Sequence, residues 1–158
     1  FPDASPASLP RAAVEAHIAL HLSEAAVAAW IADPERIVLV GAAADAPETL
    51  LGYAMYETAA APEAPVTERL GDVPAGHLSK LYVLAEGRGT GLAEALVHDG
   101  VERLRRLGFR HVWLGTNAQN ARANRFYERL GFETVGARQF VVGGERVEDD
   151  WVRLLTVA

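Results

Sequence analysis

The sequence predicts an α/β domain in which helices flank a mixed β-sheet. Apolar side chains recur every three or four residues over 11–32 and 90–107, which is typical of helices with one buried face. Runs of β-branched and apolar residues between and after these segments, as at 78–84, favour strands. Two further strand-like segments surround Gly143-Gly144 near the end of the chain, which predicts an antiparallel hairpin. Strands that alternate with helices and then enter a hairpin indicate a mixed sheet.

The first part of the chain is predicted to contain one or two helices followed by two strands. Ser23 and Glu24 interrupt the apolar spacing of 11–32 and could begin a second helix. Asp33-Pro34 should end the helical region, because the residue before a proline avoids the helical conformation. The segments expected next are a strand over 37–40, a loop over 41–47, a strand over 50–56 and an irregular connection over 59–76.

Two glycines mark the ends of helices in the second part of the chain. Gly108 and Gly131 each follow a helical segment and precede a phenylalanine, a pattern that predicts a left-handed C-cap with an apolar contact beyond it. Each cap should lead into a strand. The expected strands are 112–116, 133–140 and 147–156, the last two joined by the Gly143-Gly144 turn.

Composition limits the classes of function. With 158 residues, half of them apolar, the chain can bury one core, so one domain over 1–158 is expected. No apolar run is long enough to cross a bilayer. The chain has no cysteine, which excludes disulfides and thiolate chemistry and agrees with a cytoplasmic protein. The net charge of −6 argues against general nucleic-acid binding and suits a cationic substrate.

The start of the chain carries no targeting pattern. The sequence begins at Phe1 rather than methionine, and 1–10 is rich in proline, alanine and serine. A signal peptide would need a basic flank and an apolar block. We interpret this segment as a trimmed or incomplete start, with part of the fold missing ahead of it.

The most informative stretch is 77–96, where an apolar strand enters a turn rich in arginine and glycine that opens into a helix. Gly87, Gly89 and Gly91 let the backbone bend sharply and approach a ligand, and the first amides of the helix have no internal partner. Such amides and the helix dipole attract phosphate. Neither the nucleoside-triphosphate pattern nor G-x-G-x-x-G fits this turn, so a different phosphate-bearing ligand is needed. The alternative is a plain connection between strand and helix.

Two motifs resemble the GCN5-related N-acetyltransferase (GNAT) family. Residues 88–93 read R-x-x-G-x-A, like the loop that binds the diphosphate of acetyl-coenzyme A in that family. Residues 120–132 read N-x-x-A-x-x-F-Y-x-x-x-G-F, like the family's later motif, at the expected distance downstream. The resemblance implies a mostly antiparallel mixed sheet flanked by helices. It also implies one more strand at the start, which this sequence does not show, so we expect that first strand to be missing from the chain.

Shorter strings resemble the PaiA-type polyamine acetyltransferases within that family. They are Leu81-Tyr82-Val83 before the loop, residues 111–116 before the later motif, and a closing pattern from Phe140 through Gly143 to Asp149. The strand at 111–116 is also compatible with ordinary apolar strand sequence. The resemblance implies a polyamine as the acceptor, with any other small amine as the alternative.

The family resemblance implies the residues of a cofactor site. The pantetheine arm would lie along the backbone of Leu81, Tyr82 and Val83, and Asn120 would cap its helix and bond the same arm. Tyr127 would be the general acid that protonates the departing thiolate, since a phenol holds its proton at neutral pH. The expected diphosphate-binding residues are Arg88, Gly89, Thr90, Gly91, Leu92 and Ala93.

No motif identifies the general base. An alkylamine with a pKa near 10.4 is almost wholly protonated at pH 7, so a proton acceptor must help, either directly or through water. Glu57 and His77 are the candidates by position, each with a purely structural alternative. Glu57 and Asp149 could also face a cationic substrate. The remaining histidines are not spaced with carboxylates in a way that indicates a metal site, so no metal is expected.

The sequence therefore predicts an acetyl-CoA-dependent N-acetyltransferase that acts on a small-molecule amine. One alternative is a protein N-acetyltransferase, which would need an open peptide groove. The other is a non-catalytic module that binds coenzyme A as a sensor, against which the presence of Tyr127 argues. Because dimers are common in the family, a homodimer is compatible with this prediction.

Overall fold

The computed structural model describes residues 10–142 and 145–158, with the side chains of all these residues except 17, 20, 21 and 140–148. The helices are α1 (Arg11–His21), α2 (Glu24–Ala32), α3 (Ala64–Leu70), α4 (Leu92–Arg106) and α5 (Ala121–Arg129). The strands are β1 (Arg36–Ala43), β2 (Ala46–Glu57), β3 (Gly76–Val83), β4 (His111–Asn117), β5 (Glu133–Val142) and β6 (Glu145–Thr156).

The six strands form one sheet in the order β1-β2-β3-β4-β6-β5. β3 and β4 are parallel, and the other four neighbouring pairs are antiparallel. The predicted α/β fold, with a mixed and mostly antiparallel sheet flanked by helices, is confirmed. The first element in the described residues is α1, and β1 forms one edge of the sheet.

Helices cover both faces of the sheet. α4 packs on one face through Leu96, Val97 and Leu104, which join the main apolar core. The helix comes close to the strands because Gly100 lies against the ring of Tyr56, where a Cβ would collide. We call this side the α4 face.

The opposite side, which we call the α2 face, holds a second core. Val66 of α3 packs there with Trp113 and Val152. On the same side the ammonium of Lys80 lies over the ring of Trp30 in α2, 5.2 Å from its centroid. α2 and α3 therefore cover different parts of one face, and the strands present alternate side chains to the two faces.

Two segments differ from the sequence prediction. The predicted loop over 41–47 is wrong, because β1 continues to Ala43 and β2 begins at Ala46. Alanine and glycine are poor strand formers, so pairing with the neighbouring strand, not local preference, decides the conformation here. The connection over 59–76 contains α3, which has a proline in its first turn and Gly71 at φ 63° as its C-cap. Both are ordinary helix boundary signals that the alanine-rich and proline-rich composition obscured.

The helix boundaries are confirmed where capping predicted them. Ser23 is the N-cap of α2, and its side chain accepts a hydrogen bond from the amide of Ala26. Gly108 and Gly131 have φ values of 97° and 91°. Phe132 N donates to the carbonyl of Tyr127 and Gly131 N to that of Glu128, each at 3.0 Å, which are the two bonds of a Schellman cap. This cap fixes the end of α5 directly beside Tyr127.

β5 and β6 pair as the predicted terminal hairpin. Its predicted Gly143-Gly144 turn lies outside the described residues. Among the helices that are described, none has both the length and the apolar character needed to cross a membrane.

Candidate active site

β3 and β4 separate soon after they meet. Only Gly76↔Val112 and His77↔Trp113 are paired, and from Leu78 onwards β3 is bonded to β2 alone in the described part of the sheet. Leu81, Tyr82 and Val83, proposed from the sequence to hold a pantetheine arm, lie along this open edge. An extended chain can bond such an edge as an added strand does.

The glycine-rich turn lies at the far end of the same strand. A short 3₁₀ turn over Ala85–Gly87 leads into it, and α4 begins at Leu92. Gly89 and Gly91 have φ values of 75° and 85°, a region that residues with a Cβ rarely adopt. A Cβ built on either glycine meets no atom within 4 Å, so the space above the turn is open within the described structure.

Side chains of this turn hold its shape and leave the helix amides free. Thr90 Oγ1 donates to the carbonyl of Gly87 at 2.6 Å. Arg88 Nε donates to the carbonyl of Val83 at 3.4 Å, and the side chain is exposed. No described side chain caps the start of α4. The start of α4, with its first amides and the positive end of its dipole, therefore lies beside open space, which suits an anion.

Tyr127 projects from α5 into the core on the α4 face. Its ring lies 5.2 Å from that of Phe126 and 5.6 Å from that of Phe132, in edge-to-face arrangements. Burial is the main cause that raises the pKa of the Tyr127 hydroxyl above its ordinary value, and Tyr82 raises it further. The influence of Tyr82 couples Tyr127 electrostatically to a residue of the open strand edge. The hydroxyl stays protonated well above neutral pH.

Asn120 and Thr116 lie beside the same opening. Asn120 is the N-cap of α5, and its Oδ1 accepts from the amide of Ala123 at 3.1 Å, which confirms the predicted cap. Thr116, near the end of β4, has a buried hydroxyl without a hydrogen-bond partner in the described structure. It alternates with Val112 and Leu114, both in the core beneath α4, and so faces the α4 side.

Glu57 and His77 form a pair on the α2 face. His77 Nδ1 and Glu57 Oε2 are 2.8 Å apart. The imidazole also stacks on the indole of Trp113, with ring centroids 3.8 Å apart and planes at 9°. Glu57 Oε1 lies 3.5 Å from Arg36 Nη2. The structure thus brings the two candidate bases together as one unit instead of offering two separate candidates.

Burial is the main factor that keeps the imidazole of His77 neutral near pH 7. Burial lowers the pKa of His77 below its ordinary value of 6.5, and the positive charges of Arg138 and Lys80 act in the same direction. The hydrogen bond to Glu57 opposes them. Because a carboxylate only accepts, we infer that Nδ1 carries the proton and Nε2 the lone pair. Burial also lowers the pKa of Lys80, which faces the same side of the sheet.

The acidic residues near the end of the chain do not converge on one point. Asp150 is buried on the α2 face and pairs with Arg138 Nη2 at 3.5 Å, while Arg138 Nη1 bonds Glu63 Oε1 at 2.8 Å. Burial raises the pKa of Asp150. Asp149 is exposed, and because successive strand residues alternate it points to the α4 side. The side chain of Glu148 lies outside the described residues.

Sequence analysis did not single out Trp113 and Arg138. Trp113 supplies the surface on which His77 stacks, and its buried Nε1 has no hydrogen-bond partner in the described structure. Arg138 lies across Gly115, where a Cβ would collide with its guanidinium. The sequence signal for Trp113 was its position two residues before Gly115 in a strand, and that pattern also fits an ordinary buried strand. In the described residues, no group of three potential metal ligands converges.

Residues 8–132 match the profile of the Acetyltransferase (GNAT) family. An uncharacterised N-acetyltransferase of Mycobacterium tuberculosis is 35% identical over 152 residues, which cover 96% of this chain and 87% of that protein.

Solved structures with the same fold include two acetyltransferases. Arabidopsis thaliana NAA60 in complex with a bisubstrate analogue superposes with a TM-score of 0.73 at 17% identity, covering 94% of this chain and 95% of that one. The PaiA N-acetyltransferase from Thermoplasma acidophilum in complex with coenzyme A gives a TM-score of 0.68 at 18% identity, over 94% of this chain and 80% of that one. At these identities the likeness concerns the fold.

Proposed function

The chain belongs to the acetyltransferase (GNAT) family, and we propose that residues 1–158 form one N-acetyltransferase domain that moves the acetyl group of acetyl-CoA to a primary amine of a small molecule. One observation carries this proposal. The gap between β3 and β4 opens at Leu78 and runs to a turn with two left-handed glycines at the start of α4. A long ligand with an anionic end fits this path.

Four features of the described residues fit acetyl-CoA. The edge of β3 that includes Leu81 and Val83 lies beyond the last β3–β4 pair and can bond the amides of the pantetheine arm. The open space above Gly89 and Gly91 and the uncapped amides of α4 suit a diphosphate. The buried Thr116 hydroxyl leaves an unmet polar group beside the gap. Asn120 Oδ1 already caps α5, so its side-chain NH₂ is the group that would bond the pantetheine.

Tyr127 supplies the proton in this mechanism. Acetyl-CoA, when bound, provides the thioester that an amine attacks. The leaving thiolate needs a hydrogen-bond donor and then a proton. The hydroxyl of Tyr127 retains its proton because burial raises its pKa, and it can donate to a sulfur on the α4 side of the gap.

The Glu57–His77 pair accepts the proton of the amine. His77 is neutral near pH 7, and Glu57 fixes its ring through the 2.8 Å contact with Nδ1. The lone pair on Nε2 can then take a proton, directly or through a water molecule. Tyr127 and His77 lie on opposite faces of the sheet, so the acid and the base would act from opposite sides of the gap between β3 and β4. The amine would approach from the α2 face.

The finer identity of the acceptor is a hypothesis. A polyamine is supported by the net charge of −6 and by the fold shared with a PaiA acetyltransferase. The ion pairs of Glu57 and Asp150 reduce the negative charge available on the α2 face. A protein amine is the second candidate, because the NatC complex bound to Gag peptide and CoA shares the fold, with a TM-score of 0.64 at 20% identity over 93% of this chain and 90% of that one. A non-catalytic coenzyme A sensor would bind the cofactor without turnover.

The test is release of free thiol from acetyl-CoA by the purified protein in the presence of an amine panel. The panel should contain spermidine, monoamines, amino acids and short peptides with free N-termini. Turnover with small amines supports the proposal. Turnover with peptides alone would favour the protein acetyltransferase, and tight acetyl-CoA binding without any turnover would favour the sensor.

A further inference from the structure

A cavity of about 560 Å³ lies on the α2 face, between helices α1 and α2 and the strands β1 to β3. This volume is in the range of cavities that hold small organic molecules. Its helical wall is formed by Ile18, Leu22, Val27 and Ile31. The cavity is separate from the Glu57–His77 pair, since neither residue lines it.

The cavity is almost wholly apolar. Valines, leucines and isoleucines dominate its walls, and no acidic side chain is among the described residues that line it. The lining residues that carry polar side-chain groups are Tyr53, Tyr82 and Arg88. A molecule with several positive charges would lose its hydration there without meeting a carboxylate, which is unfavourable.

Exposed apolar side chains concentrate at this cavity. Within residues 10–142 and 145–158, seven large apolar side chains are exposed, and four of them line it: Ile31, Val40, Leu50 and Leu84. Scattered exposed apolar residues need no explanation, but a group around one concavity indicates a binding surface. The rings of Tyr53 and Tyr82, 5.5 Å apart and tilted by 42°, provide an aromatic wall.

The cavity meets the proposed reaction site at β3. Tyr82 and Val83 line it and also belong to the strand whose other edge is open toward β4. Tyr82 influences the pKa of Tyr127 across the sheet. A molecule held in the cavity therefore lies on the side from which an amine would approach the gap.

We propose that this cavity binds the apolar body of the acceptor, so that the substrates are primary amines carried on an aryl or alkyl group instead of polyamines. The inference rests on the proposed acetyltransferase function and names its substrate class. The occupant is a small monoamine, because the walls are apolar and one of them is aromatic.

The experiment compares 2-phenylethylamine with spermidine as acceptors, with thiol release as the readout. The expected kcat/KM is at least about tenfold higher for 2-phenylethylamine, the discrimination that a few methylene-sized apolar contacts provide. Leu50→Asp places a carboxylate on the cavity wall and should lower kcat/KM for 2-phenylethylamine by about tenfold or more. Thr49→Asp is the matched control, because Thr49 is the preceding residue of β2, is exposed and points to the other face. It should leave both values unchanged.

Binding of 2-phenylethylamine, followed by calorimetry, separates this inference from the proposed function. If Leu50→Asp binds 2-phenylethylamine more weakly and Thr49→Asp does not, the inference is supported even when no amine is acetylated. The absence of acetylation would overturn only the acetyltransferase proposal. Faster turnover of spermidine than of 2-phenylethylamine would overturn the inference and leave the acetyltransferase standing. Two other results would also overturn it by assigning the cavity to another occupant. One is a preference for hexanoyl-CoA that Leu50→Asp abolishes, and the other is a homodimer in sedimentation that Leu50→Asp dissociates.

Discussion

The imidazole of His77 stacks on the indole of Trp113 across the last paired position of β3 and β4, with 3.8 Å between the ring centroids. The stack closes the gap at the point where the strands separate. It also buries His77, and burial is the largest cause that lowers the pKa of the imidazole. The contact at the end of the strand pairing thus also contributes to the burial that lowers the pKa of the proposed base.

The pH dependence of catalysis should report this pKa. His77 accepts a proton only when neutral, so kcat/KM should fall on the acid side with a break below pH 6.5. Glu57 raises the pKa of His77, so Glu57→Gln should move the break to still lower pH. The ionisation of the amine is the same in both profiles and cancels in the comparison.

Glu102→Gln is the control for this profile. Glu102 pairs with Arg105 and Arg106 on the surface of α4, and its loss should not move the break. A break that stays in place in Glu57→Gln would remove His77 from the role of base. NMR titration of the His77 ring in the same variants checks the assignment independently of turnover.

The diphosphate site is tested by Gly91→Asp. An aspartate there would place a negative charge in the open space where the proposal puts the diphosphate, and we expect acetyl-CoA affinity in calorimetry to fall at least about tenfold. Gly108→Asp is the control, since Gly108 at the other end of α4 also has positive φ and open space around its Cβ position. Both variants therefore place a side chain on a left-handed glycine position. Equal loss of affinity in the two variants would assign the effect to stability.

The sequence could predict the turn before α4 and the cap of α5 because their signals are local. The loop at 88–93 and the cap at Gly131 contain glycines with positive φ, a conformation that residues with a Cβ rarely adopt. A glycine at such a position can be recognised from a single sequence. The Glu57–His77 contact joins residues 20 positions apart and depends on the register of β2 against β3, which includes a shift between Met55 and Tyr56. Such a register has no local signal.

The apolar cavity was also beyond sequence analysis. Its walls come from five elements, and each contributes residues that fit an ordinary core. The sequence analysis relied on the net charge to predict the substrate, and a net charge does not show where the substrate binds. The sequence analysis did not assign roles to Trp113 and Arg138 either, because their contacts are with residues in other strands.

Asn120→Ala separates capping from ligand binding. Loss of an N-cap should cost about 1 kcal/mol of stability, measured by denaturant unfolding. Ser23→Ala removes the corresponding cap of α2 and should cost a similar amount. If Asn120 also bonds the pantetheine, only Asn120→Ala should weaken acetyl-CoA binding, by about three- to tenfold, the loss of one hydrogen bond. Equal affinities in the two variants would leave Asn120 as a cap alone.

Tyr127→Phe tests the general acid, and the chain offers a matched tyrosine as its control. The variant keeps the ring packing against Phe126 and Phe132, so acetyl-CoA affinity should change little. Removing the proton donor should lower kcat by about tenfold to a thousandfold. Tyr56 also loses a buried hydroxyl on substitution, but that hydroxyl donates to the carbonyl of Leu96 at 3.1 Å and is structural.

Tyr56→Phe should therefore cost about 0.5–1.5 kcal/mol of stability and leave kcat within about twofold of wild type. The difference in kcat between the two variants therefore separates the loss of the proton donor from the general effect of removing a buried hydroxyl on the α4 face. If Tyr127→Phe also retains kcat within about twofold, Tyr127 contributes packing only. The thiolate would then have to take its proton from another donor. The next variant to assay for kcat would be Thr116→Val, because the buried hydroxyl of Thr116 faces the same side of the gap.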